Sequence, residues 1–180
     1  VVPEGMSYNS YLIDDEKIAI MDTADRRQGE AWKANLKAAL GSRQPDYLVV
    51  QHMEPDHSAL IAWVLETYPG LQLVCSAQAV KMLSNFFEGV NFEGRVMTVK
   101  EGDTLSLGQH TLQFIGAAMI HWPEVIMTYD SKDKVLFSAD GFGKFGALVN
   151  ETDDWACEAR RYYFNICGKY GAQVQSVLKK

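Results

Sequence analysis

The order of apolar segments along the chain is the feature that most restricts its fold. In the first half, short apolar runs with the composition of strands alternate with segments whose apolar residues recur at helical spacing. The second half, from Arg95 to Asp140, is a succession of short strand-like runs, and a helical stretch follows it. Alternating strands and helices followed by a run of strands predict a layered α/β fold with mixed sheets, rather than a helix bundle or a pure β-sandwich.

The predicted elements begin with a β-hairpin, because the apolar runs SYLI and KIAIMD are separated by the turn-forming DDEK. A helix follows from Arg27 to Leu40, and Gly41 stands where a helix C-terminal cap belongs. Further strands are predicted at DYLVV, LQLVC, RVMTVK, TLSL, HTLQFIG, IMTY and KVLFSAD. Further helices are predicted at SALIAWVLETY, AQAVKMLSNFF and DDWACEARRYYFNICGKY, the last with an apolar stripe of Trp155, Ala159, Tyr162, Tyr163 and Ile166.

Composition limits the class of protein. The 180 residues, 47% of them apolar, are enough for one core, so a single domain is expected. The formal net charge of −6 and the lack of a Lys/Arg run argue against nucleic-acid or membrane partners, as does the lack of a long apolar stretch. Cys75, Cys157 and Cys167 are odd in number and form no C-x-x-C pair. We therefore expect a cytoplasmic protein without a disulfide framework.

A polar cluster follows the predicted strand DYLVV. His52, Glu54, Asp56 and His57 form the pattern H-x-E-x-D-H, and Pro55 favours extended geometry at the residue before it. In an extended segment, His52, Glu54 and Asp56 would share one face. A cluster this short is by itself more often a solvated turn than a site, so its interpretation depends on the rest of the chain.

Two later strand ends each carry one more residue of the same chemistry. His121 precedes Trp122-Pro123 after HTLQFIGAAMI, and Asp140 follows VLFSA. Taken singly, such a histidine is usually structural and such an aspartate is as often a turn former. With the polar cluster they place three imidazoles and three carboxylates on successive strand-end loops, where binding residues concentrate. This oxygen-rich set suits iron or manganese more than structural zinc, and it is large enough for two metal ions bridged by a carboxylate.

H-x-E-x-D-H, a His 64 positions later and an Asp 19 positions after that resemble the diiron domain of the flavodiiron proteins, A-type flavoproteins that reduce dioxygen or nitric oxide. The stretches GMSYNSYLI, MDTAD, IHWPEVIMTY, LFSADGFG and RRYYFNI extend the resemblance over essentially the whole chain. It implies an α/β fold of the αββα metallo-β-lactamase type with mixed sheets. Residues 1–180 would then be an incomplete diiron domain that lacks the flavodoxin-like domain of full-length members.

The resemblance also implies a role for each of the six candidate residues. One iron would be held by His52, Glu54 and His121, the second by Asp56 and His57, with Asp140 bridging both. The family's final histidine ligand would lie beyond Lys180, so the second iron is expected to be weakly held or absent.

Three other residues carry expectations. One of the adjacent Tyr162 and Tyr163 is a candidate donor towards bound dioxygen, and we assign this role to Tyr163, the alternative being a core position on the helix. His110 is expected to be an exposed loop histidine, and Trp122 is expected to pack against the ligand loop.

The implied activity is reduction of dioxygen to water, of nitric oxide to nitrous oxide, or both, at two ferrous ions. In the family, FMN on a partner subunit of a head-to-tail homodimer supplies the electrons, with a rubredoxin-like or flavin donor upstream. This chain is therefore expected to bind no FMN and to lack turnover alone. Two alternatives stay open: a stand-alone diiron sensor of dioxygen, and a zinc hydrolase on the same fold. Glu54 argues against the hydrolase, because hydrolases of this fold usually carry His there.

Overall fold

The first sheet has five strands and places the ends of its parallel strands at one edge. A computed structural model describes residues 2–150 and 155–180. Its strands pair in the order β1-β2-β3-β4-β5, antiparallel in the β1-β2 hairpin and parallel elsewhere. They are β1 Tyr11–Ile13, β2 Ala19–Met21, β3 Tyr47–Val49, β4 Gln72–Ser76 and β5 Val96–Val99. The predicted hairpin and these strand positions are confirmed.

Four helices connect the parallel strands: α1 Gly29–Leu40, α2 Pro55–Ser58, α3 Ile61–Thr67 and α4 Ala77–Phe86. Gly41 ends α1 with a φ of 58°, a conformation that glycine adopts without the steric cost of a Cβ. The helix predicted at SALIAWVLETY corresponds to α3, but its predicted start is too early, since Ala59 and Leu60 separate α3 from α2. Pro55 occupies the first turn of α2 and starts the helix early.

The early start of α2 changes the geometry predicted for the polar cluster. Glu54 is extended, with a ψ of 143°, as expected for a residue before proline. Asp56 and His57 instead lie on α2, so the expectation that three residues of one extended segment share a face is wrong.

The second sheet contains four antiparallel strands in the order β6-β7-β8-β9. They are β6 Thr104–Ser106, β7 Thr111–Gly116, β8 Ile126–Asp130 and β9 Val135–Phe137. The strand predicted at KVLFSAD is shorter, because Ala139–Phe142 form a 3-10 turn. Helices α5 Trp155–Ile166 and α6 Gly171–Val177 follow. The predicted helix start at Asp153 and Asp154 lies outside the described residues, and a 3-10 turn at Gly168–Tyr170 separates the two helices.

Alternation of buried residues along the strands creates three apolar layers. In the first sheet, Ile20 and Leu48 face a cluster that contains residues of α1, α3 and α4. Their neighbours Met21 and Val49 face the second sheet, including Phe114. On the outer face of the second sheet lies a third cluster, formed with α5 and α6 residues. Helices therefore cover the outer faces of two packed sheets, and the predicted αββα fold is confirmed.

Two surface expectations are wrong. His110 is only 8% exposed, because its Nδ1 lies 2.7 Å from Asp130 Oδ2 on the neighbouring strand and its Nε2 lies 3.3 Å from Lys132 Nζ. Trp155, predicted to belong to the apolar stripe of the last helix, is 57% exposed. Among the described residues, no helix combines the length and apolar character needed to span a bilayer.

Phe114 tests the packing between the sheets. Phe114→Ala should lower the free energy of unfolding by about 3–5 kcal/mol, because the lost ring leaves a cavity in a fully buried layer. Phe164→Ala is the matched control, since that ring is 70% exposed on α5, and it should cost about 1 kcal/mol or less. Urea unfolding measures both values, and equal losses would contradict the assigned layer.

Candidate metal centre

Four strand-end segments meet at one edge of the sandwich. They follow β2 and β3 in the first sheet, connect β7 to β8, and follow β9. The segment after β3 carries the polar cluster, the β7-β8 connection carries His121, and the 3-10 turn after β9 carries Asp140. The structure thus brings together all six residues predicted as ligands, in two groups that share one aspartate: His52, Glu54, His121 and Asp140; Asp56, His57 and Asp140.

Hydrogen bonds to the backbone fix the shape of the ligand loop, residues 51–57. The Ser58 hydroxyl donates to the Met53 carbonyl oxygen at 2.7 Å, and the Thr23 hydroxyl donates to the His57 carbonyl oxygen at 2.8 Å. Asp22 Oδ1 accepts from the backbone N–H of Gln51 at 2.7 Å. The loop is therefore held in place by groups that take no part in the two donor groups.

In the first donor group, two imidazoles face two carboxylates. His52 Nε2 lies 3.2 Å from Glu54 Oε2 and 3.3 Å from Asp140 Oδ2. His121 Nε2 lies 3.0 Å from Glu54 Oε2 and 3.2 Å from Asp140 Oδ2. One ligand atom from each of the four residues falls within 4.8 Å of the others, which is the spacing of ligands around one metal ion.

The second donor group uses the other oxygen of the shared aspartate. His57 Nε2 lies 3.2 Å from Asp140 Oδ1 and 3.9 Å from Asp56 Oδ2. Asp56 Oδ1 is buried and accepts no hydrogen bond from any described residue. Asp140 therefore directs Oδ2 towards the first group and Oδ1 towards the second, as a bridging carboxylate does.

Two buried carboxylates that the sequence analysis missed anchor the loop histidines. Glu124 Oε1 lies 2.8 Å from His52 Nδ1, and Asp22 Oδ2 lies 3.2 Å from His57 Nδ1. Each contact leaves Nε2 of the imidazole free to face the donor group. The signal in the sequence was an acidic residue placed within or directly after an apolar run, Glu124 in WPEVIM and Asp22 after IAIM.

The tyrosine at the centre is Tyr162, which corrects the assignment of Tyr163. The Tyr162 hydroxyl donates to Asp140 Oδ1 at 2.9 Å, whereas Tyr163 packs into the outer apolar cluster. Adjacent residues on a helix point about 100° apart, so only one of the pair can face the centre. A Cβ at Gly143 would meet the Tyr162 ring at 2.8 Å, so glycine there leaves room for the ring.

Trp122 packs its ring 5.2 Å from that of His52, and the predicted contact with the ligand loop is confirmed.

Charge around the centre shifts the pKa values of the three histidines. Burial lowers the pKa of His52, but hydrogen bonds with Asp140, Glu124 and Glu54 outweigh burial and raise it to about 11. Asp140 and Asp22 similarly overcome burial and raise the pKa of His57 to about 10. For His121, hydrogen bonds with Asp140 and Glu54 raise the pKa to about 9. Without metal, the imidazoles are therefore protonated at neutral pH.

Two of the three carboxylates in the donor groups have lowered pKa values, and the third has a raised one. Hydrogen bonds with His121 and His52 lower the pKa of Glu54 to about 2. Burial opposes ionisation of Asp140, but the three imidazoles hold its pKa well below its usual range. Burial raises the pKa of Asp56, whose Oδ1 is unpartnered among the described residues. Metal ions at the centre would take over the positive charge that the imidazolium protons carry.

The donor set fits iron. It combines imidazole nitrogens with carboxylate oxygens, contains no thiolate, and has one carboxylate with an oxygen aimed at each group. The buried and unpartnered Asp56 Oδ1 supplies a further acceptor that a cation would satisfy. A cavity of about 720 Å³ begins at Asp56, His57 and Asp140 and runs between the edge strands β1 and β9. The second group therefore faces the cavity.

An αββα sandwich with a histidine-carboxylate centre at the ends of its strands defines a β-lactamase-like metal-binding domain. The chain belongs to the family described as ODP family beta lactamase, whose family model matches residues 6–167.

Relatives and solved structures agree with this assignment. The chain is 35% identical over 185 residues to the anaerobic nitric oxide reductase flavorubredoxin of Aliivibrio fischeri, covering 98% of this chain and 37% of that protein. Rubredoxin oxygen:oxidoreductase from Desulfovibrio gigas superposes with a TM-score of 0.91 at 29% identity, over 99% of this chain and 46% of that one. The flavodiiron protein from Giardia intestinalis superposes with a TM-score of 0.89 at 31% identity, over 99% of this chain and 44% of that one.

The predicted resemblance to the flavodiiron proteins is thereby confirmed. The chain spans about a third of the length of the curated relatives it matches.

Stability of the metal-free protein should fall as pH rises above neutrality. The folded pKa values of the three histidines, about 9 to 11, exceed the ordinary value of 6.5. Their stabilisation is fully present below pH 6.5 and is lost as pH rises through 9 to 11. The contribution of Glu54, whose pKa is lowered from 4.5, is present above pH 4.5 and lost as pH falls through 2. Thermal unfolding in chelator measures the decline.

The metal-loaded protein is the control for this pH profile. Metal competes with protons for the imidazoles, so added metal should stabilise the protein more as pH rises from about 6 to 8. If the metal-free protein instead gains stability between about pH 7 and 10, the histidines are not protonated as the hydrogen bonds indicate.

Proposed function

We propose that this chain is the diiron domain of a flavodiiron oxidoreductase that reduces dioxygen to water, nitric oxide to nitrous oxide, or both. The observation that carries the proposal is the position of Asp140, with one oxygen towards each donor group. The names of similar proteins support the reaction class, since they describe a nitric oxide reductase and an oxygen oxidoreductase.

In this proposal each donor group holds one iron. His52, Glu54 and His121 would hold the first iron, Asp56 and His57 would hold the second, and Asp140 would contribute one oxygen to each. Two iron ions held this close together would supply exchangeable electrons and open coordination positions for a diatomic molecule. Glu54 adds negative charge where a hydrolase of this fold usually has a neutral imidazole, which favours iron over zinc.

The protein residues around the irons keep the ligands oriented and the protons available. Asp22 and Glu124 receive the Nδ1–H groups of the loop histidines. Burial and the nearby Asp140 carboxylate raise the pKa of Tyr162 far above its usual value, so its hydroxyl stays protonated at neutral pH. We assign Tyr162 the role of holding a proton beside the reacting molecule, since its O–H is bonded to the bridging carboxylate.

Electron delivery belongs, in this proposal, to an FMN-binding flavodoxin-like region outside these 180 residues. The relatives' names include flavorubredoxin and rubredoxin oxygen:oxidoreductase, which supports a rubredoxin-like or flavin donor. A head-to-tail homodimer would bring the FMN of one subunit to the irons of the other. The three free cysteines support the proposed cytoplasmic location, where thiols stay reduced.

Iron content tests the ligand assignment. Asp140→Ala should abolish uptake of both ions, because it removes the shared ligand, whereas His57→Ala should weaken the second site alone. Asp133→Ala is the matched control, an exposed carboxylate in another His-Asp cluster, and should leave uptake unchanged. Elemental analysis and Mössbauer spectroscopy after anaerobic loading with Fe²⁺ measure the outcome. Uptake of zinc alone, with hydrolytic activity, would contradict the proposal.

Tyr162→Phe tests the proposed proton donor. In the full-length protein with FMN, the variant should keep its iron but reduce dioxygen or nitric oxide about 100-fold more slowly, the typical effect of losing a positioned acid. Tyr163→Phe should retain the normal rate, because that residue packs into the outer apolar cluster. An equal loss in the two variants, measured as gas consumption by electrode, would contradict the assignment to Tyr162.

A further inference from the structure

Glu124 is a buried carboxylate that lies outside both donor groups. It is 2% exposed and stands three residues after His121, in the connection that leads to β8. A carboxylate buried this deeply is costly unless hydrogen bonds or opposite charge compensate it. Its contacts therefore indicate what the residue does.

Those contacts join three segments of the centre. Glu124 Oε1 accepts from the backbone N–H of Met53 at 2.8 Å and lies 2.8 Å from His52 Nδ1. The carbonyl oxygen of Glu124 accepts from the Ser76 hydroxyl at 2.7 Å, at the end of β4. The residue thus ties the loop that carries His121 to the loop that carries His52 and to the first sheet.

The contact with His52 determines which nitrogen is free. Since Nδ1–H donates to Glu124, the lone pair of the neutral imidazole is on Nε2, which faces Glu54 and Asp140. The Trp122 ring, perpendicular to that of His52 at 5.2 Å, restricts rotation of the imidazole. Both the tautomer and the direction of His52 follow from these neighbours.

A second buried carboxylate-imidazole pair in the same protein has a different neighbour at the far nitrogen of its imidazole. His110 Nδ1 lies 2.7 Å from Asp130 Oδ2, a contact like that between His52 and Glu124. The far nitrogen of His110, however, faces the Lys132 ammonium at 3.3 Å instead of carboxylates. The two pairs therefore differ at the far nitrogen, which faces carboxylates in His52 and an ammonium in His110.

The charge of Glu124 exceeds what its hydrogen bonds need. Both contacts are made by Oε1, while Oε2 is buried and accepts no hydrogen bond from any described residue. A glutamine in the same pose would satisfy Met53 N–H and His52 Nδ1–H equally well. A negative charge behind the imidazole strengthens the electron donation of Nε2 to a cation.

We propose that Glu124 is a positioning residue for the first metal ion: it holds His52 as the Nδ1–H tautomer, and its charge strengthens Nε2 as a ligand. The inference rests on the proposed function, because it concerns the same donor group. It assigns this chain a carboxylate behind the ligands that acts through His52 and does not touch the ion.

Two substitutions separate geometry from charge, with Fe²⁺ as the affinity probe and Zn²⁺ as the probe for NMR. Glu124→Gln keeps an acceptor for His52 but removes the charge, so Fe²⁺ should bind about tenfold more weakly with the His52 tautomer unchanged. Glu124→Leu removes both, and affinity should fall about 100-fold. In ¹⁵N-histidine spectra of the Zn²⁺-loaded chain, the Nδ1–H signal of His52 should persist in the glutamine variant and be lost in the leucine variant.

Asp130→Asn is the matched control, since it neutralises the other buried carboxylate-imidazole pair and should leave Fe²⁺ affinity unchanged. Normal affinity in Glu124→Gln would overturn the role of charge, even if the leucine variant fails to fold. A wild-type Nδ1–H signal in Glu124→Leu would overturn the role in tautomer selection. A wild-type chain that binds neither metal would overturn the proposed function itself, a result distinct from either of these.

Discussion

Negative charge enclosed at one edge of the sandwich is the constraint on which the centre depends. Asp22 and Glu124 are each 2% exposed, and each contacts a histidine of the donor groups. Glu54 and Asp56 each place a carboxylate oxygen within 4.8 Å of one from Asp140. Taking carboxylates out of water costs several kcal/mol each unless positive charge is placed beside them. Three imidazoles supply that charge as protons in the metal-free protein, and bound cations supply it otherwise. The carboxylates can stay ionised at this edge only with one or the other beside them.

The fold makes this concentration of charge tolerable by holding its members on separate rigid supports. Parallel pairing brings the ends of β2 and β3 to one edge, and the second sheet brings the segments that carry His121 and Asp140 to the same place. The side chains are then held by hydrogen bonds with one another and with Asp22, Glu124 and Tyr162. Like charges can be kept close together only because no single flexible loop carries them all.

The two donor groups differ in how completely this chain encloses them. The first has four residues, including His52, which is fully buried. The second has Asp56, His57 and a share of Asp140, and it opens onto the cavity between the edge strands. In the proposed function, an ion in the first group would therefore have more donors from this chain, and an ion in the second would face the cavity.

Sequence patterns were sufficient for elements and ligands that depend on short-range spacing. The hairpin, the strand positions and the four candidate ligands of the polar cluster follow from alternation and from H-x-E-x-D-H, since each pattern is local. His121 and Asp140 are distant in sequence, and they were predicted from strand ends and from the family resemblance. The break after α2 is hidden inside one apolar run, and the burial of His110 depends on Asp130, which lies 20 residues away. The choice of Tyr162 over Tyr163 depends on how α5 is rotated against the sheet, which adjacent residues of similar polarity do not specify.

The missed carboxylates have the largest consequence, because they change the charge of the whole centre. If the imidazoles are neutral, the summed charge of two divalent ions and the three carboxylates of the donor groups would be +1. When Asp22 and Glu124 behind the histidines are included, the summed charge is −1 with two divalent ions. With two trivalent ions the same sum is +1. In the proposed function, a centre that changes by two electrons would stay close to neutrality on both sides of the change. In the proposed function, Asp22 and Glu124 would therefore keep the summed charge small whichever valence the ions have.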